Sequence, residues 1–171
     1  MSPRRTRVLL LDDDPQALAV LRHDLKTACP DLEVETRTAA DVSGPAFDVY
    51  VVDNDFGGDA KATALLDAVR ATAPHALVLA WSARLDAPTL RRLLNAGCDG
   101  AFAKQDRAET AQAVRVVAAR AAALTRAGRG RRGPVLAVLD AVTDLLREWN
   151  RRLDAEERAH AAPVGDGGHG R

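Results

Sequence analysis

The sequence predicts a doubly wound α/β domain on a five-stranded parallel sheet, followed by a linker and one long amphipathic helix. Three observations carry that prediction. Five short aliphatic runs alternate with stretches whose apolar residues recur every three or four positions. The runs are apolar with little alternation, as strands buried on both faces are. Acidic, hydroxyl and amine residues stand where the runs end, and open α/β sheets form their ligand crevice at the carboxyl ends of the strands.

The strand runs are residues 7–11, 32–36, 49–52, 76–81 and 101–104. After the first, Leu18, Leu21, Leu25 and Ala28 step at helical spacing, with Asp14 and Pro15 placed as N-cap and first-turn proline. The connection between the second and third runs is short, and its stretch 38–45 contains Gly44 and Pro45, so one or two turns or a loop is expected there. Leu65, Leu66, Val69 and Ala73 mark the next helix; Leu90, Leu93, Leu94 and Gly97 mark another. Asp106 is placed to cap a last domain helix carrying Ala111, Val114, Val117, Ala118 and Ala121.

The Arg-Gly-rich stretch 126–134 reads as a break. The expected organisation is a globular domain at 1–127, a linker at 128–134, an amphipathic helix at 135–160 and a disordered tail at 161–171. In the helix, Val135, Val138, Val142, Leu145 and Trp149 form too large an apolar stripe to leave wet; it can pair with its copy, fold back on the domain or present a face to a partner protein, and self-association ranks first.

With 24 basic and 24 acidic residues the formal net charge is zero, which excludes a global polyanion binder. The Arg cluster near the break lacks a helix-turn-helix and stacking aromatics, so no nucleic-acid partner is expected. No apolar run approaches the ~20 residues of a membrane span, and no signal-peptide core follows Met1. Cys29 and Cys98 form no ligand pattern and suit a reduced, cytoplasmic protein. Of the basic residues only Lys26, Lys61 and Lys104 are lysines, so a lysine at a strand end is a pointed choice.

Asp12, Asp13 and Asp14 follow the first strand, Asp53 and Asp55 the third, Ser82 the fourth and Lys104 the fifth. A parallel sheet brings these side chains to one rim although Asp12 and Lys104 are 92 positions apart. Crowded carboxylates repel, so protons or a cation must relieve them, and oxygen ligands with room for water suit Mg²⁺. A carboxylate beside such a cation can act as nucleophile toward a phosphoryl group, while a lysine and a hydroxyl stabilise the phosphoryl oxygens. A compact ammonium suits a single oxygen better than a forked guanidinium.

Four segments in order, LLLDDDP at 9–15, FDVYVVD at 47–53, LAWSA at 79–83 and AGCDGAFAK at 96–104, resemble the receiver domain of two-component response regulators. The resemblance implies a flavodoxin-like receiver fold over roughly residues 5–126, with no recognisable output domain. It implies that Asp12 and Asp13 bind Mg²⁺, that Asp53 is the phosphorylated residue and also touches the metal, and that Asp55 completes the metal set where a backbone carbonyl usually ligates. Ser82 matches the hydroxyl that turns toward the phosphoryl group, and Lys104 the invariant lysine. The implied partner is a sensor histidine kinase or phosphotransfer protein; the implied role is signal transduction, with no catalysis beyond the domain's own phosphoryl transfer and dephosphorylation.

Two departures matter. The place three residues before the lysine, where receivers carry an aromatic that swings inward, is Ala101, and its neighbour Phe102 is expected on the other side of the strand. Gln105 replaces the proline after the lysine, so a trans bond is expected. Two other readings stand beside this one. The chain can act as a phosphorylation-independent, receiver-like scaffold. Asp53 and Asp55 also form the Asp-x-Asp of haloacid-dehalogenase-like phosphatases, although that family places its acidic pair downstream. A Ser82 hydrolase is disfavoured because no histidine is placed near a strand end with a partner acid.

Overall fold

In the computed structural model, residues 5–56 and 59–128 are described. Five parallel strands form one sheet in the order β2-β1-β3-β4-β5. In chain order the elements are β1 (Arg7–Leu11), α1 (Pro15–Ala28), β2 (Glu33–Arg37), β3 (Val49–Val52), α2 (Asp59–Thr72), β4 (Leu77–Ser82), α3 (Ala87–Asn95), β5 (Gly100–Ala103) and α4 (Arg107–Gly128). β2, β4 and β5 each sit one residue away from the expected runs. α4 runs through Gly128, one residue into the stretch read as linker. The rest of that linker, the long helix and the tail lie outside the described residues.

The register assigns side chains to the two faces. Val8 pairs with Val49, Leu10 with Val51, Val51 with Leu79 and Trp81 with Phe102, which places these residues on one face. α1 and α4 pack together over that face, and the Trp81 indole donates to Thr110 Oγ1 of α4 at 3.3 Å. Leu9, Leu11, Tyr50, Val52, Val78, Ala80 and Ala101 line the other face. Right-handed crossovers put α2 and α3 there. Phe102 is therefore on the α4 side and Ala101 on the α3 side, as alternation requires; both are buried.

The helices begin where the sequence supplies caps. Asp14 accepts from Gln16 N at 2.8 Å with Pro15 in the first turn, and Asp106 accepts from Ala108 N at 2.7 Å and Glu109 N at 3.2 Å. Asp86 caps α3 through Thr89 N at 2.8 Å, a role the sequence reading did not give it. α3 is short, with Leu93 as its buried residue.

No helix lies between β2 and β3; the loop alternative is the one realised. Arg37 organises this loop by donating from Nη1 to Asp41 O at 2.9 Å and Ser43 O at 2.8 Å. Asp41 accepts from Ser43 N and Oγ, and Gly44 takes φ +101, where a glycine is at ease. Phe47 then covers the sheet. It is buried, meets Tyr50 edge-to-face at 5.7 Å, and lies under the Arg7 guanidinium at 4.3 Å. One aromatic ring and two arginine stems thus cover part of the sheet in place of a helix.

At the opposite end of the sheet from the acidic rim, Arg70 of α2 donates to Gly97 O at 2.7 Å and pairs with Asp99 at 2.6 Å. Gly97 has φ +87, and an added Cβ would meet Arg70 Cγ at 3.4 Å. Cys98 lies behind this clasp, and burial pushes its thiol up to about 12. Both cysteines are free, as expected. Among the described residues no helix is long and apolar enough to cross a membrane.

Candidate functional site

Hydrogen bonds extend the ladders one residue past the strand ends and so position the rim. Asp53 N donates to Leu11 O at 2.8 Å, Asp12 N to Arg37 O at 3.2 Å, and Lys104 N to Ser82 O at 2.8 Å. Continued alternation puts Asp12, Asp53 and Lys104 on the face of Trp81 and Phe102, and Ser82 on the face of α3.

Asp12 and Asp53 are buried, at 1% and 2% exposure, whereas Asp13 is exposed. One carboxylate oxygen from each of the three lies within 4.8 Å of the others. Lys104 Nζ reaches across the Trp81 ring, 5.5 Å from its centroid, to Asp12 Oδ2 at 2.6 Å and Asp53 Oδ1 at 3.0 Å. Backbone donors hold both acids: Asp14 N to Asp12 Oδ1 at 3.0 Å and Asp55 N to Asp53 Oδ1 at 3.1 Å. Burial raises the Asp53 carboxyl above its usual range, and Lys104 opposes that rise without cancelling it. For Lys104 burial alone would lower the ammonium, but hydrogen bonds to Asp12 and Asp53 and their charges outweigh it and hold it above normal.

The donor set fits a hard divalent cation. Three carboxylates at close quarters supply oxygen ligands, and the exposure of Asp13 leaves a side open to water, which suits Mg²⁺. Asp55 lies outside this group. Its carboxylate faces Ser82 Oγ at 3.3 Å and the Asn54 amide at 3.5 Å.

Ser82 is fully buried and held within its own turn, donating to Arg84 O at 2.6 Å and accepting from Arg84 N at 3.1 Å. Two residues absent from the sequence reading join it. Asn54, buried, places Nδ2 3.5 Å from Ser82 Oγ, and its Oδ1 accepts from Arg92 Nη2 of α3 at 2.9 Å. The position of Asn54 between Asp53 and Asp55 was a usable signal; Arg92 has none, because its contact depends on how α3 lies. Among the described residues the peptide bonds are trans, that before Gln105 included. In place of a proline, Glu109 Oε2 accepts from Ala103 N at 2.6 Å and ties the end of β5 to α4.

No family model and no curated protein matches the sequence. Solved structures do match. A CheY-like receiver domain protein from Methanospirillum hungatei superposes with a TM-score of 0.61 at 19% identity, over 72% of this chain and 98% of that one. A response regulator from Thermotoga maritima gives 0.57 at 17% identity, over 70% and 99%. A chemotaxis response regulator of Vibrio cholerae gives 0.54 at 21% identity, over 65% and 99%. Together with the strand order and the acidic rim, these likenesses establish that the described part of this chain has the flavodoxin-like fold of response regulator receiver domains.

Proposed function

We propose that this protein is a phosphorelay signalling module whose Asp53 accepts a phosphoryl group from a phosphohistidine on a sensor kinase or phosphotransfer protein. One observation carries the reading: Asp53 lies buried between an acidic pair and a lysine, at the carboxyl ends of parallel strands. Asp12, Asp13 and Asp53 would hold Mg²⁺, with Asp55 contributing its backbone carbonyl. Bound there, the cation would offset charge on the phosphoryl oxygens. An Asp53 carboxylate oxygen attacks phosphorus, the bond to the donor imidazole nitrogen breaks, and the imidazole leaves with the electron pair. Lys104 holds a phosphoryl oxygen, and Ser82 donates its proton to another. In dephosphorylation water attacks phosphorus, the bond to the Asp53 oxygen breaks, inorganic phosphate leaves and the carboxylate is regenerated, so the domain's catalysis is confined to its own acyl phosphate. We place this activity in the cytoplasm. Its output is a protein contact or self-association through the C-terminal helix.

Acetyl phosphate with Mg²⁺ should add one phosphoryl group to the wild type and none to Asp53→Ala, read by intact mass; equal labelling of the two proteins refutes the assignment. The scaffold reading draws on Ala101, whose small side chain cannot act as an aromatic switch. Mg²⁺ titration separates the two. Trp81, 5.5 Å from Lys104 Nζ, should change fluorescence at millimolar Mg²⁺ in a Trp149→Phe background; a flat titration favours the scaffold.

A further inference from the structure

The two edges of the sheet are finished differently. At β5 the outward N–H of Ala103 donates to Glu109 Oε2 at 2.6 Å. At β2 no side chain among the described residues does the same. Glu33 N donates to Thr6 O at 2.9 Å and Arg37 O accepts from Asp12 N at 3.2 Å, so the odd positions of β2 bond β1. Val34 and Thr36 therefore turn their N–H and C=O groups away from the sheet, and among the described residues these groups have no partner. We propose that this edge takes up an extended acidic segment of a partner protein as a sixth strand. The proposal does not involve Asp53 and stands apart from the phosphorelay reading.

Charge defines the kind of segment. A cavity of about 430 Å³ follows the edge, lined by Arg22, Lys26 and Val34 from the α1 face and by Arg5, Arg7 and Glu35 from the other. The carboxylates there are already paired: Glu35 meets Arg37 at 2.6 Å, and Glu33 lies 3.8 Å from Arg7. Arg5 and Arg22 are exposed and have no partner among the described residues. Lys26 Nζ is fixed by Pro30 O at 2.6 Å and Leu32 O at 2.9 Å, which leaves one proton and the charge available. In a chain of zero net charge this edge is a local positive pole.

The spacing matches a strand. Arg22 and Lys26 stand one helical turn apart on α1, about 6 Å, and alternate residues of a strand are about 7 Å apart. A segment with acids at every second position would set two carboxylates against Arg22 and Lys26 while its backbone pairs with Val34 and Thr36. Glu33 and Glu35 on the opposite face disfavour a continuous polyanion such as nucleic acid. A second copy, paired edge to edge, would bring Arg22 and Lys26 against their own images.

The experiment is amide hydrogen exchange on the full chain, read at Val34 and Thr36 by NMR with millimolar capped peptide. The probe is Thr-Glu-Val-Glu-Val-Glu-Thr; the controls are an isomer with its three Glu adjacent and a version with Lys for Glu. The probe should slow exchange at Val34 and Thr36 about tenfold, the scale of one backbone hydrogen bond gained, and the controls should not. Arg22→Gln should weaken the probe about threefold, the scale of one exposed charge pair. Thr36→Pro removes an N–H that the β1 ladder does not use, and should abolish protection at Val34 with circular dichroism unchanged. If that variant fails to fold, the peptide series and Arg22→Gln still decide. Equal protection by the adjacent-Glu isomer or by inorganic pyrophosphate would reveal a diffuse anion site and overturn the added strand. Protection that rises with protein concentration alone would assign the edge to a second copy and overturn it as well. So would unchanged exchange at both amides with the probe.

Discussion

Lys104 carries the electrostatics of the rim. It pairs with two buried carboxylates, and removing it strands them together. Breaking a buried pair this way costs about 3 kcal/mol. Lys104→Met should therefore lower stability by about that amount in urea denaturation at neutral pH. The pH dependence has a definite sign. Burial raises the Asp53 carboxyl above 3.8 in the folded state, so the native form binds more protons just above that value and stability falls as pH rises through the window. Lys104 is raised above 10.5, so its contribution is intact below that value and disappears as pH rises through its folded pKa. The Lys104→Met deficit should accordingly shrink on acidification, as Asp53 protonates; a deficit that grows on acidification would contradict this account. At this scale the sequence was most legible: Asp12, Asp53, Ser82 and Lys104 are each the residue that follows or ends a strand, and parallel topology brings them to one rim. Asn54 and Arg92 were not legible, because a bond between a loop amide and a helix arginine 38 positions away depends on a helix orientation that spacing does not encode.

At the scale of elements, the β2–β3 connection departs most from a regular βα alternation. Its brevity and its Gly44 and Pro45 gave notice of a loop. The task of Phe47 could not be read, since it appeared only as the lead into β3. Its ring, with Tyr50 beneath and Arg7 and Arg37 above, covers sheet that a helix would otherwise shield. Phe47→Ala should cost about 3 kcal/mol. A loss below 1 kcal/mol would show that the loop closes without the ring. The strands were found because their buried residues form unbroken runs; their ends moved by one residue because hydrogen-bond register, not hydrophobicity, sets where pairing stops.

At the scale of the molecule, α1 and α4 pack together over one face, while right-handed crossovers put α2 and α3 on the other, where Phe47 meets Tyr50. The described residues end with α4 at Gly128, and the sequence carries an apolar stripe within residues 135–160. If that stripe pairs with its copy, sedimentation should give a dimer for the full chain and a monomer for a chain ending at Gly128; equal monomeric masses would argue against self-association.

The loop that stands in for a helix has a practical consequence. Apart from the Arg37 carbonyl that receives Asp12 N, the β2 edge lends nothing to the rim, and residues 43–46 are exposed, with the turn at Gly44. A small reporter peptide spliced between Gly44 and Pro45 should leave acceptor labelling unchanged, making this stretch a natural port for following the protein inside living cells.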